Sequence, residues 1–329
     1  MTVLSVGLNP YGIAYTLGLH GRDTPRANPN GGGLEGFIAV ATELGARTLE
    51  IFEPWLAAMT EAELRALKDR LAKLGMTPVV SSGLMMGPVD RAIREAVTLG
   101  ATVIRLGLTP VLCGDRNAAG AKWREFVSNA RAGLAQYGPQ AAAAGVSLAI
   151  ENHQDFKSEE LVDFCEEFEG VGICFDTGNT FPVGEAPLPF TRWIAPHVRH
   201  VHLKDYRVQW TDQGYRLVRC AIGEGAVPLS EMMAILAEEH DELTGVLEPG
   251  ALEARHIRLF TPEWCKGYPM MSAAELAPCL AAARVRQLPD EADCRTPWER
   301  GEDGEVLVRY ELDMIRRSAA NLKELGLMA

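Results

Sequence analysis

The sequence predicts a (β/α)8 barrel, and three observations carry the prediction. Strand-like and helix-like stretches alternate along the chain with little between them, the pattern of parallel βαβ units. Several strand-like stretches are unbroken apolar runs, such as Val171-Gly172-Ile173-Cys174-Phe175, and strands buried on both faces occur mainly in parallel sheets covered by helices. A length of 329 residues suits one such barrel, commonly about 250 residues, with additions.

In chain order, residues 3–8 form the first strand, and Asn30-Gly31-Gly32-Gly33 opens a helix over 34–44. Three adjacent glycines suggest a phosphate loop, but the following Lys and Ser/Thr are missing, so a flexible helix entry is expected instead. Residues 48–52 form the second strand, and Thr60-Glu61-Ala62-Glu63 caps a helix reaching Leu74. Strand 77–81 and helix 90–99 follow, then strand 102–108, which carries Arg105 inside an apolar run. A charge there must meet an anion, so Arg105 is either the partner of a barrel acid or a substrate clamp. Helix 121–144 stops at Gly145, where a left-handed residue is favoured. The fifth to eighth strands are 146–150, 171–175, 198–201 and 245–247, with helices at 158–168, around 189–196 and at 229–239.

Two insertions depart from the plain alternation. Between the seventh strand and its helix, Val208-Gln209-Trp210 and Tyr215-Arg216-Leu217-Val218 flank Thr211-Asp212-Gln213-Gly214, the signal of a β-hairpin. After the eighth strand the closing helix is delayed to 305–325, so residues 251–304 leave and re-enter at the mouth as a lid holding Trp264, Tyr268, Trp298 and a helix at 273–286. The expected organisation is one barrel domain over 1–329: a core of about 1–250, the lid of about 251–304 and the closing helix.

Composition narrows the partners. Acids outnumber bases 44 to 32, and a net charge of −12 repels a phosphate backbone, so no nucleic-acid partner is expected. Seven cysteines without a Cys-x-x-Cys pair fit reduced thiols in a cytoplasmic protein. The amino terminus lacks a basic region and turns polar by Asn9, as a first strand does and a signal peptide does not, and no apolar run reaches the roughly 20 residues of a membrane span.

Four successive strands end in potential ligands. Ile150 runs into Glu151-Asn152-His153, Phe175 into Asp176-Thr177-Gly178-Asn179, Val201 into His202-Leu203-Lys204-Asp205, and Leu247 into Glu248-Pro249-Gly250. A single acid after a strand is often only a turn or cap residue. Four in succession place Glu151, Asp176, His202 and Glu248 at one end of the barrel as ligands for one divalent cation. Oxygen-rich ligation with one imidazole suits Mn²⁺ or Mg²⁺, favoured here for the surplus of carboxylates, or Co²⁺ or Zn²⁺.

These segments resemble the xylose isomerase-like TIM barrels, the superfamily of sugar phosphate isomerases and epimerases and of family 2 AP endonucleases, over about residues 1–250. The resemblance implies the same four metal ligands, with Glu151 and Glu248 also accepting and donating protons on opposite faces of the substrate, as in ketose epimerases. The endonuclease branch has extra histidines on the second and third strands, absent from 51–53 and 79–83 here.

The expected function is therefore a metal-dependent isomerase or epimerase that works on a keto-sugar or sugar acid through an enediolate. Glu151 and Glu248 act as bases, and His153 and Lys204 bond substrate oxygens or the enediolate. The alternative is a lyase, decarboxylating or dehydrating a 3-oxo sugar acid, whose carboxylate would call on Arg207, Arg219, Arg255, His256 or Arg258 unless these bridge lid to barrel. A non-catalytic metal- or sugar-binding module ranks below both. Trp55, Trp210 and Trp264 supply a sugar-stacking wall or pack the lid. A homo-oligomer is expected by analogy with the family.

Overall fold

The computed structural model describes residues 3–250 and 252–328, so the reading of residues 1–2 and the first lid residue lie outside the described residues. Eight parallel strands close into a barrel: β1 (Val3–Leu8), β2 (Thr48–Phe52), β3 (Thr77–Gly83), β4 (Val103–Gly107), β5 (Ser147–Glu151), β6 (Val171–Asp176), β7 (Val198–Leu203) and the eighth, β10 (Glu242–Leu247), which pairs with β1. Side chains alternate between interior and helices. In β2, for instance, the fully buried Leu49 and Ile51 face the helices while Glu50 faces the interior.

Local signals set the outer helices. Thr60 and Glu63 form the reciprocal cap expected at the helix Glu61–Lys73, and Gly145 (φ +72°) ends the helix Ala121–Ala143. The glycine triplet serves close packing: a Cβ at position 31 would stand 2.5 Å from Gly18 Cα. Helix Pro187–Ile194 begins two residues before the expected 189, since proline suits the first helical turn. The closing helix, Gly304–Glu324, packs on the loop after β1, where Glu311 accepts the Tyr15 and Thr16 amides at 2.9 and 2.8 Å.

The hairpin after β7 is present as β8 (Tyr206–Thr211) and β9 (Gly214–Arg219), and β11 (Arg255–Ile257) adds an antiparallel third strand from beyond β10. Asp205 anchors it: its carboxylate accepts the backbone amides of Tyr206, Gly223, Gly225 and Val227. Residues 252–303 contact several loops that follow the barrel strands, and Arg255 among them lines the mouth. Trp264 donates to the Cys113 carbonyl at 3.2 Å, Lys157 faces Glu275 at 3.8 Å, and Trp298 stacks beneath Arg26. The expected helix there, 273–286, ends at Ala283.

Candidate metal centre at the barrel mouth

Glu151 and Asp176 are the last residues of β5 and β6, His202 lies one residue before the end of β7, and Glu248 directly follows β10. One residue of irregularity between β6 and β7 sets Asp176 beside His202. The four side chains are buried, and one ligand atom from each lies within 4.8 Å of the other three. His202 Nδ1 is 2.8 Å from Glu248 Oε2 and 3.4 Å from Glu151 Oε1.

Hydrogen bonding tests whether these residues fit a cation. His202 Nδ1, Glu248 Oε2 and both Glu151 carboxylate oxygens are buried without a well-formed hydrogen bond. Glu151 Oε2 has the Arg105 guanidinium beside it; the other three crowd together, and buried polar atoms left so are costly and fit a shared electrophile. The opposite nitrogen, His202 Nε2, donates to Glu50 Oε2 at 2.6 Å; against burial, Cys174, Glu50 and Glu248 hold the ring well above its ordinary pKa, and a cation taking the place of the Nδ1 proton would meet a lone pair facing the carboxylates. His200 extends this chain, with Nε2 3.1 Å from the same Glu50 oxygen and Nδ1 2.7 Å from Thr244 Oγ1. Cys174, His200 and His202 form a second convergent group, but both Nε2 atoms are engaged by Glu50.

Charge gives the same answer. Glu50, Glu151, Asp176 and Glu248 meet two permanent cations: Arg105, paired with Glu151, and Lys204, paired with Asp176 and, at 2.7 Å, with Glu248. With His202 neutral, as a metal ligand must be, two negative charges remain over, which a divalent ion would balance. Burial pushes every carboxyl up, but Lys204 and His202 bring Glu248 down to about 2, and Arg105, with His153 and His202, holds Glu151 well below the ordinary range. Asp176 goes up to about 6, burial and the neighbouring glutamates outweighing Lys204. His153 is driven down to about 4 by burial, against the pull of Glu151 and helped by Arg105 and Lys204, so its imidazole is neutral at pH 7. Asn152 braces Asp176, accepting its amide at 2.6 Å and donating to its carbonyl at 2.9 Å.

A cavity of about 350 Å³ opens above this centre, with Arg105, His153, Lys204 and Glu248 in its wall together with Arg219, Arg255 and Tyr11. Of the side chains proposed from sequence for substrate, Arg105, His153, Lys204, Arg219 and Arg255 line it. Six lie elsewhere. Trp55 packs edge-on against Phe52, and Trp210 stacks on Phe260 under Arg284. Trp264 is buried against Tyr268, and Arg207 is exposed beside a separate hollow with Cys294 and Arg295. The tryptophans' apolar area is spent on packing, and Arg207 points to the opposite face of β8 from Tyr206, which lies under Arg219. His256 bonds Thr211 and Arg258 bonds Gln213, both on the hairpin. Glu50 is the residue that sequence reasoning passed over, although it is a charge within an apolar strand, the same signal that marked Arg105.

A closed (β/α)8 barrel with a candidate divalent-cation centre at the carboxyl ends of its strands defines the class. Comparison with known proteins narrows it: the model of the xylose isomerase-like TIM barrel family matches residues 38–251, and the chain belongs to that family. Its curated relatives include the uncharacterized protein YihM of Escherichia coli (27% identical over 184 residues, 55% of this chain and 54% of the relative). Another is a nitronate monooxygenase of Pseudomonas aeruginosa (28% over 207 residues, 63% of this chain and 51% of the relative). The chain spans about half the length of these two relatives. Among solved structures, the D-psicose 3-epimerase of Clostridium cellulolyticum H10, crystallised with D-tagatose, is 17% identical and superposes over 90% of this chain and 94% of that one with a TM-score of 0.55, a likeness of fold. Among the described residues, no helix is long and apolar enough to cross a membrane.

Proposed function

We propose that the protein is a divalent-metal-dependent isomerase or epimerase acting on a keto-sugar or sugar acid through an enediolate. The observation that carries this is the convergence of Glu151, Asp176, His202 and Glu248 beside an open cavity, with buried atoms of Glu151, His202 and Glu248 that lack a well-formed hydrogen bond. Mn²⁺ or Mg²⁺ suits so carboxylate-rich a set better than Co²⁺ or Zn²⁺. When bound, the ion would supply Lewis-acid polarisation of a carbonyl and its neighbouring hydroxyl.

The chain's own residues do the rest. Glu151 and Glu248 stand on strands three places apart around the ring, so they approach a substrate from two sides and divide the removal and return of a carbon-bound proton between them. Lys204, at 2.7 Å from Glu248, donates to that carboxylate and orients it. Neutral His153 in the wall donates to or accepts from a substrate hydroxyl.

The test is incubation with Mn²⁺ and a panel of keto-sugars and 3-oxo sugar acids in D₂O. Deuterium gained at a carbon beside the carbonyl, with mass otherwise conserved, is the expected result. Loss of CO₂ or water would reassign the centre to a lyase, and no exchange with any metal would reject the proposal.

A further inference from the structure

We infer that the mouth cavity contains an oxyanion subsite, formed by Arg219 and Arg255, that binds a carboxylate or phosphate carried by the substrate. This rests on reading the cavity as the substrate site and names the class: an acidic or phosphorylated polyhydroxy compound rather than a neutral sugar.

Pairing places the two arginines together. Arg255 of β11 lies opposite Leu217 of β9, and Arg219 is two residues further along β9. Paired residues share a face, as do residues two apart in a strand, so the guanidinium groups are diagonal neighbours on one face of this small sheet. Both line the cavity that also contains Glu248, Lys204 and His153.

Arg219 lacks a counter-charge. The residue is 6% exposed, and its Nε and Nη1 are buried without a hydrogen bond. Among the described residues no carboxylate pairs with it: its partner is the ring of Tyr206, opposite it in the hairpin, 5.0 Å from its central carbon. Arg255 has one distant acid, Glu253 at 3.7 Å, and its Nε is likewise unbonded. The other two cavity cations differ, because Arg105 is committed to Glu151 and Lys204 to Asp176 and Glu248. A buried guanidinium without an anion costs several kcal/mol, and a planar fork of donors matches a carboxylate or phosphate best. Arg219 is also held close to the chemistry. A Cβ at Gly250, two residues past Glu248, would stand 2.7 Å from Nη1, so the guanidinium rests on the turn that carries the proposed base.

Calorimetry on the full chain tests this with matched probes: D-gluconate against D-sorbitol and D-fructose 6-phosphate against D-fructose, each with metal-free protein and with Mn²⁺. At least one anion is expected to bind about tenfold or more tightly than its neutral partner in both forms. A preference confined to gluconate assigns a carboxylate, one confined to the phosphate ester assigns a phosphate, and both together a general oxyanion site. Arg219→Met should abolish the preference while leaving Mn²⁺ affinity within about threefold, and Arg255→Met serves as the second variant if the first melts early by circular dichroism. Equal binding of charged and neutral probes, or a preference that survives both substitutions, overturns the inference. The two proposals fail separately. Anion preference without Mn²⁺ binding removes only the metal centre, and Mn²⁺ binding without anion preference removes only the subsite.

Discussion

Strands β5, β6, β7 and β10 bring the four proposed ligands to the barrel mouth, three of them with buried atoms that lack a well-formed hydrogen bond. Strands β2 and β4, on the other side of the ring, bring Glu50 and Arg105, whose polar groups are turned toward those same side chains. One half of the barrel presents the proposed ligands; the other supplies Glu50 and Arg105, which join Lys204 in setting their hydrogen bonds and charges. Glu50 reaches across the interior to both imidazoles of β7, and Arg105 crosses to Glu151 of the adjoining strand. The lesson is that a cation centre of this kind is a property of the whole ring, and that the supporting half can be probed without touching a ligand.

The largest effect should come from the ligand half. Glu248→Gln removes a proposed base and a ligand together, and isotope exchange should fall by about 10²–10⁴-fold. Full exchange with intact metal content in that variant would reject the base assignment. Across the ring, Glu50→Gln leaves every ligand in place but loosens His202, and a metal titration should show about 10–100-fold weaker binding. An unchanged titration would dissolve the distinction between the halves.

A third variant separates stability from binding. Glu95, on the helix Val89–Leu99, is 8% exposed and shares Arg91 with Glu53, at 3.6 and 2.6 Å respectively. Burial, then the charge of Glu53, pushes its carboxyl from 4.5 up to about 7. Because the folded value is the raised one, the favourable protonated contribution is complete below pH 4.5 and is lost as pH rises through 7. Glu95→Gln should therefore raise Tm at about pH 8 by roughly 2 °C or more and change little near pH 5, with metal affinity unaffected. A stabilisation independent of pH would contradict this account. The smallest effect is expected from Thr244→Val, which removes only the far end of the His200 chain: about fivefold or less in metal affinity, for a loss of at most about 1 kcal/mol.

The two halves also differed in legibility. The convergence of Glu151, Asp176, His202 and Glu248 could be read from the chain because each is a polar residue closing an apolar run, and the parallel fold dictates that such positions share one end. Glu50 could not be placed that way, since it lies mid-strand and its role depends on two histidines about 150 residues away. The strands β1 and β2 match their expected bounds, as does the helix Leu229–Glu239, because local patterning settles them. The path of the segment after β10 was not legible in detail. Its tryptophans carry the same composition whether they face a ligand or a neighbouring loop, and β11 is three residues long, too short for any periodicity. Arg255 reaches the cavity through that pairing alone.

Gly250 ties these threads to how the protein could change over time. Its φ of +71° and the guanidinium against it mean that one added methyl group would both strain the turn and displace Arg219. A lineage could thus alter substrate preference by a single small substitution that adds no charge and removes none, leaving the cation-binding floor intact while the selective wall is remade.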